Sequence, residues 1–448
     1  MMNKVTIDDI RNCLEGLVPS ALSTCSPEGV PNVSMISQAL YVDSSHVALS
    51  FQFFNKTREN IILNPFANLL VMDPQTSARY RLDLRYIATH TSGPIFERMK
   101  AKLAGIASHE GMQNVFRLKG SDIYRVEKIE HVQGHELPVE NQNSSLLPAM
   151  QRTITAIDKY LNQENLIDVL LSNLQSQFGI QHCMFLIADN HARKLYMLGS
   201  MGYKSSGVGS EIPFGCGVIG VAAETKVPIR IMFASSEYSY GRQLEDRESK
   251  TNIVDLESRI AYPGLEMPES QLAVPLISNG TLLGVLYMES LQQAVFGYDI
   301  EDVLQAICSK VADSMKLLQF ADGTQTSEDL DRIDEIKSEQ PHITVSYHKR
   351  DHSIFINDVY LIKGVAGAIL WHLLNAYTHR KQTEFSNKLL RTSANLPLPD
   401  ITDNLDARLI LLSRRLAERC PEISIKKTGR GCFCLNLSTV VVLRLENE

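Results

Sequence analysis

Two apolar runs meeting at Asn279-Gly280 constrain this chain more than any other feature. Leu272-Ala-Val-Pro-Leu-Ile-Ser278 and Thr281-Leu-Leu-Gly-Val-Leu-Tyr-Met-Glu-Ser290 flank a dipeptide suited to the left-handed backbone of a tight β-hairpin. Upstream, Pro213-Phe-Gly-Cys-Gly-Val-Ile-Gly220 has the shape of a Gly-rich turn opening a short helix. Neither stretch supplies a nucleophile–base pair or a metal cage.

A chain of 448 residues is long enough for about three domains. With 44% hydrophobic and 21% charged residues, each can bury a core. The eight cysteines form no secreted-type framework, and Lys4, Asp8, Asp9, Arg11 and Glu15 interrupt the first twenty positions, unlike a signal peptide. The longest apolar run, Gly364 to Tyr377, is broken by His372 and Asn375. The expectation is a cytoplasmic protein without a membrane span.

Polar stretches at Glu136–Ser145 and Asp322–Gln340, the second with seven acidic and two basic residues, divide the chain into 1–138, 150–320 and 341–448. Residues 341–448 carry 15 basic against 10 acidic side chains, a balance of +5. The rest carries 29 against 41, a balance of −12. A basic C-terminal segment on an acidic protein is compatible with duplex DNA as a partner, and equally with ordinary variation in surface charge.

In the middle segment the pattern predicts a long amphipathic helix over Ile154–Phe178, strands at His182–Ala188 and Lys194–Gly199, the Gly-rich turn, the hairpin, and a closing helix capped by Asp299. This order resembles a GAF domain, a small-molecule sensing and dimerisation module of α/β sandwich fold. The resemblance implies a ligand that the residues do not identify, a lid over Phe233–Glu269, and a dimer seam along Leu166–Phe178 and Val303–Leu318. The plainer reading of those helices is that they cover their own sheet. Gly215-x-Gly-x-x-Gly220 lacks the preceding buried strand and following acidic residue of a dinucleotide site. Cys216 is either a redox-active thiol at a helix start or a small packed residue.

The N-terminal segment alternates short β-type runs with turns: Ala21–Cys25, Pro31–Tyr41, Val47–Phe54, Asn68–Asp73, Leu82–His90 and Ile123–Ile129. Helices are expected at Lys56–Leu63 and Phe96–Ala107. Asn55-Lys-Thr-Arg58 at a helix start offers a cation, a hydroxyl and free N–H groups, a fit for phosphate. Residues 15–130 resemble the FMN-binding split β-barrel of the pyridoxamine 5′-phosphate oxidase family, in which a Ser-Arg-Lys-type turn precedes a helix ending in Asn-Pro. Counting back from Asn64-Pro65 puts Asn55, Lys56 and Thr57 on those positions, so Thr57 stands for the family lysine and Lys56 for its arginine. The resemblance implies FMN as cofactor, Arg58 or Arg81 as a second cation, Ser34 beside the flavin ring, and a flavin site at a homodimer interface. The alternative is that Lys56 only caps a surface helix.

The C-terminal segment reads as strands at Ile343–Tyr347, Ser353–Ile356 and Val359–Ile362, helices at Val365–Tyr377, Ser386–Thr392 and Leu405–Arg419, and a hairpin over Ile423–Leu435 turning at Gly429-Arg-Gly431. It resembles the winged-helix domain of response-regulator transcription factors. That implies a DNA-reading helix with Arg408, Ser413, Arg414 and Arg415, and a wing with Lys426, Lys427 and Arg430. Ile410 and Leu411 depart from the family's polar pattern and point to reduced base reading or to a protein-facing surface. Cys420, Cys432 and Cys434, like His90, His109 and His372, complete no tetrahedral zinc set.

The expected protein is a multidomain α+β sensor-regulator, in which split barrel and GAF domain couple flavin or small-molecule binding to DNA binding by the winged helix. A flavin-dependent oxidoreductase with regulatory GAF and C-terminal domains is the alternative.

Overall fold

The computed structural model describes residues 5–14, 20–36, 38–51, 56–109, 118–138, 146–159, 163–232, 260–321, 342–393, 396, 405–429 and 431–446. Asn55 and Arg430, most of the expected GAF lid (233–259) and the acidic stretch 322–341 lie outside them.

The first body contains β1 (Ser20–Cys25), β2 (Pro31–Ile36), β3 (Ala39–Asp43), β4 (His46–Phe51), α1 (Lys56–Leu63), β5 (Phe66–Met72), β6 (Arg79–His90), α2 (Pro94–His109) and β7 (Gly120–Val132). The strands pair antiparallel in the order β2-β1-β5-β6-β7-β4-β3. Leu22 of β1 and Val47 and Leu49 of β4 lie far apart in that order yet share one core with Leu69, Leu82 and Tyr124. The sheet is therefore curled on itself. Register shifts at Asp83/Leu84 and Tyr86/Ala88 supply the bends that the long β6–β7 pair needs.

The second body is a six-stranded antiparallel sheet of β8 (His182–Asp189), β9 (Lys194–Met201), β10 (Glu211–Pro213), β11 (Ile229–Ile231), β12 (Ser270–Ser278) and β13 (Thr281–Ser290), in the order β10-β9-β8-β13-β12-β11. Helices α3 (Leu146–Ile157), α4 (Gln163–Phe178) and α6 (Tyr298–Ala321) cover one face, and α5 (Gly217–Thr225) covers the other. The hairpin turns at Asn279 and Gly280 with φ of 48° and 74°, as the dipeptide demands.

The long helix expected over 154–178 is instead α3 and α4, two helices that pack on each other. Each has its own apolar side, Ala149, Thr153 and Ile157 on α3 and Leu166, Leu170 and Leu174 on α4, and only a reversal of the chain lets both sides reach one core. Most apolar residues of α4 and α6 pack into this chain's own core, while Leu317 of α6 is exposed and Asp168, Ser172, Gln175, Asp302, Ser309 and Asp313 face outward.

The third body has a four-stranded sheet, β16 (Val359–Ile362)-β15 (Ser353–Ile356)-β14 (His342–His348)-β20 (Val440–Glu446), and a three-stranded one, β17 (Glu384–Ser386)-β19 (Cys432–Leu437)-β18 (Ile423–Gly429). Helices α7 (Gly364–Arg380), α8 (Asn387–Thr392) and α9 (Leu405–Arg419) complete it. β20 runs parallel to β14, a pairing with no local turn signal to announce it. Among the described residues no helix is long and apolar enough to cross a membrane.

The bodies meet through specific contacts. The Tyr298 hydroxyl donates to the Leu14 carbonyl (3.0 Å), and its ring lies between the guanidiniums of Arg11 (4.4 Å) and Arg230 (4.3 Å). Glu301, buried beside it, pairs with Arg230 at 3.0 Å and with Arg98 of α2 at 3.5 Å. The core on the α4 face of the second body runs without a break into the third.

Gly367 in α7 tests the packing of the third body. An exposed helical Gly→Ala change stabilises by about 1 kcal/mol, but a Cβ at 367 would stand 2.0 Å from the His352 carbonyl oxygen. Gly367→Ala should instead destabilise by roughly 1–3 kcal/mol, read as a fall in the thermal midpoint. A rise would show that α7 is not seated against the β14–β15 turn.

Candidate functional site

At the start of α1 the structure brings together residues from distant strands. Thr57 is buried there, and its hydroxyl accepts from the Asn32 side-chain amide (2.9 Å) and shares a hydrogen bond with Ser34. Lys56 is exposed beside them. The arrangement is a small polar nook at the start of a helix, with the exposed Lys56 at its positive end.

The two further cations named from the sequence lie elsewhere. Arg58 turns inward, pairs with Asp122 at 2.6 Å and lies over the Phe51 ring at 4.7 Å. Helical geometry forces this, since Thr57 and Arg58 leave α1 on different sides. Asp122 also accepts from the Thr89 hydroxyl (2.5 Å), and burial pushes its carboxyl above the usual range despite Thr89 and Arg58. Arg81 pairs with Glu130 on the sheet face carrying Leu70 and Met35, opposite the face of Ser34.

A second polar group sits in the α5 face of the GAF-like sheet. Gln271 and Glu289, directly paired across β12 and β13, are both 2% exposed. The Tyr287 hydroxyl bridges them, at 2.8 Å from Gln271 Oε1 and 2.9 Å from Glu289 Oε2. The Leu265 N–H donates to Glu289 Oε1 (2.7 Å). Tyr203 and Tyr262 pack against the same core, and burial together with the nearby Glu289 charge pushes the Tyr203 phenol far up. A carboxylate, an amide and phenols at one end of an otherwise apolar face can orient a small polar molecule. The available signal was a Glu and a Gln inside apolar strands. Cys216 is exposed at the N-cap of α5, and its side chain makes no capping bond.

The largest correction concerns α9. Ten of its 15 residues are buried, among them Arg408, Ile410, Leu411 and Arg415. The exposed basic face expected from Arg408, Arg414 and Arg415 is absent. Arg408 pairs with Asp189 of β8, Arg414 with Asp168 of α4, and Arg415 donates to the Leu361 carbonyl at 2.9 Å. The protein-facing surface suggested by Ile410 and Leu411 exists within the chain itself, because an apolar helix with two buried sides needs a second neighbour. Ser413 bonds back to the Ile425 carbonyl (3.4 Å). Lys426 and Lys427 remain exposed, Lys427 within 3.5 Å of Asp406. Among the described residues no group of His, Cys, Asp or Glu could hold a metal ion.

Residues 161–316 match the family model for the GAF domain. Solved structures similar to parts of the chain include the GAF domain of a phosphoenolpyruvate-protein phosphotransferase from Coxiella burnetii (18% identity, 41% of this chain and 100% of that one, TM-score 0.32). Another is a free methionine-R-sulfoxide reductase from Neisseria meningitidis in complex with its substrate (16% identity, 42% and 99%, TM-score 0.32). A third is an FMN-binding protein from Syntrophomonas wolfei (18% identity, 27% and 80%, TM-score 0.23). No curated protein matches.

The buried Arg58–Asp122 pair sets an expectation for the barrel. Arg58→Met strands the Asp122 carboxylate and should cost about 3–5 kcal/mol in urea unfolding. Adding Asp122→Leu should recover most of that loss. Equal destabilisation by the single and double variants would mean that stranded charge is not the cause.

Proposed function

We propose that this chain is a ligand-responsive regulator, in which a GAF domain senses a small polar molecule and a C-terminal winged helix contacts duplex DNA. The observation that carries the sensing role is the match of residues 161–316 to the GAF family model, with the buried Glu289–Gln271–Tyr287 group supplying polar atoms at one end of an apolar face. The DNA role draws on the order of three helices and a hairpin in the third body, with Lys426, Lys427 and Arg430 for phosphate and Arg408, Ser413, Arg414 and Arg415 on the reading helix. Binding of labelled duplex DNA by the full chain, with and without added metabolite pools, tests the pair of roles together.

In the barrel the nook of Asn32, Ser34 and Thr57, with Lys56 and the α1 N–H groups, is the place for the phosphate of FMN. A bound flavin would supply redox chemistry. Its phosphate would be held by Lys56 and Thr57, and Asn55, the third residue expected from the sequence, lies outside the described residues. The same nook favours the second reading, a flavin-dependent oxidoreductase regulated by the other domains, which predicts sustained consumption of NAD(P)H. If the site is real, Lys56→Ala should lower FMN affinity roughly tenfold to a hundredfold, measured by flavin fluorescence titration. Equal affinity in wild type and variant, or no binding to the wild type, removes the site.

The homodimer of this reading forms through the barrel. Val33 and Met35 (both 65% exposed), Phe66 and Leu70 lie on one outer sheet face, an apolar patch suited to a second copy. Light scattering at micromolar concentration should give a dimer mass, and Met35→Asp should shift it toward monomer. A monomeric wild type would leave this face without its partner.

A further inference from the structure

Two arginines of α9, Arg408 and Arg414, are engaged by the GAF domain in a manner that resembles a built receptor, while Arg415 is held within its own body by the Leu361 carbonyl. Arg408 Nη2 lies 2.5 Å from Asp189 Oδ2, with side-chain exposures of 4% and 6%, and its guanidinium lies 4.6 Å from the centre of the Tyr196 ring. Arg414 donates to the Leu198 carbonyl (2.9 Å) and to Asp168 (2.6 Å), and approaches Glu164 at 3.8 Å. The approach to β9 is close: a Cβ at Gly199 would stand 2.7 Å from the Arg414 Nη1. One turn further on, Glu418 accepts a hydrogen bond from the Ser206 hydroxyl. Carboxylates and carbonyls thus occupy the donors that a phosphate backbone would need.

We propose that this seam is an autoinhibitory clamp, in which the GAF domain covers the arginine face of α9 and opening of the seam delivers that face to duplex DNA. The clamp rests on the DNA-output reading above and specifies its regulation. It places the resting chain in a state of weak DNA binding, with Lys426 and Lys427 as its exposed wing cations.

The seam is connected to the ligand-facing side of the sheet by one strand and one loop. Along β9, Tyr196 and Leu198 pack in the core that contains α9, while Leu195 and Met197 pack in the core under α5. The loop after β9 is pinned from both sides. A Cβ at Gly207 would meet Pro263 at 2.5 Å, and one at Gly209 would meet Ile260 at 2.6 Å and Leu411 of α9 at 3.8 Å. Two residues beyond Pro263, Leu265 donates to Glu289 in the buried polar group. A ligand that displaces Leu265 from Glu289 therefore moves the segment supporting the loop under α9. Such a ligand opens the clamp only to the extent that it binds the open form more tightly.

Asp189→Asn isolates the charge. The new side chain keeps the oxygen that accepts the Ala192 N–H (2.8 Å), so the turn after β8 is retained while Arg408 loses its counter-ion in a buried place. Asp168→Asn is the milder companion at an exposed carboxylate and carries the test if the first variant does not fold.

Full-length wild type and both variants would be titrated onto a fluorescein-labelled duplex DNA of mixed sequence at low salt, and trypsin cleavage within α9 followed by mass spectrometry. The clamp requires Asp189→Asn to bind DNA at least tenfold more tightly than wild type, with a smaller gain for Asp168→Asn. Cleavage after Arg414 should accelerate in the same order. Equal DNA affinity across the three proteins, or cleavage unchanged in folded variants, overturns the clamp. Accelerated cleavage with no DNA binding by any protein overturns both the clamp and the DNA reading beneath it, whereas equal, measurable DNA binding overturns the clamp alone.

Discussion

The six-stranded sheet of the GAF domain is buried on both faces, and the rest of the molecule is arranged around that constraint. A sheet with apolar side chains on both sides must be covered twice. Its own α3, α4 and α6 begin the cover on one face and α5 on the other. Each cover is extended by a neighbour. Ala101 of α2, reaching from the barrel, joins the α5 core, and the third body continues the α4 core. The chain is therefore a central sheet with a body attached at each side, rather than beads on tethers.

Charge is buried at both joints, each time as an ion pair. Arg230 and Glu301 are almost fully buried, with the Tyr298 ring against the guanidinium. Arg408 and Asp189 repeat the device at the other joint, with Tyr196 as the ring. An aromatic face solvates an arginine without bringing water, which lowers the desolvation penalty of such a pair. Pairs of this kind add little to stability compared with apolar packing. Their effect is on specificity of docking, because a misaligned joint leaves a bare charge inside.

Local patterns were legible and long-range ones were not. Asn279-Gly280, the strands at 343–362 and the helix at 405–419 each carry their signal within a few residues, and the structure has them there. The nook at α1 was legible in part, since Thr57 and Ser34 do meet. The direction of Arg58 was not, because it depends on Asp122, placed 64 residues away by strand pairing. The fate of α9 was half legible: Ile410 and Leu411 signalled a protein surface, but nothing in their pattern named the GAF domain as its owner. The break between α3 and α4 escaped because each side of it has helical spacing by itself, and its one signal was the step from Ile157 to Leu166, which would carry the apolar stripe to the opposite side of a continuous helix.

The parallel pairing of β20 with β14 has a kinetic side. The strands joining at His342↔Val440 and His348↔Glu446 are about a hundred residues apart, so the third body closes on itself only by a long-range contact. Closing so large a loop delays the transition state for folding. The GAF sheet carries the same requirement, since only its β12–β13 hairpin is local and β8 joins β13 across about a hundred residues (His182↔Glu289). Two slow closures thus meet at one seam, where Asp189 and Asp168 pair with Arg408 and Arg414 only once both bodies are in register.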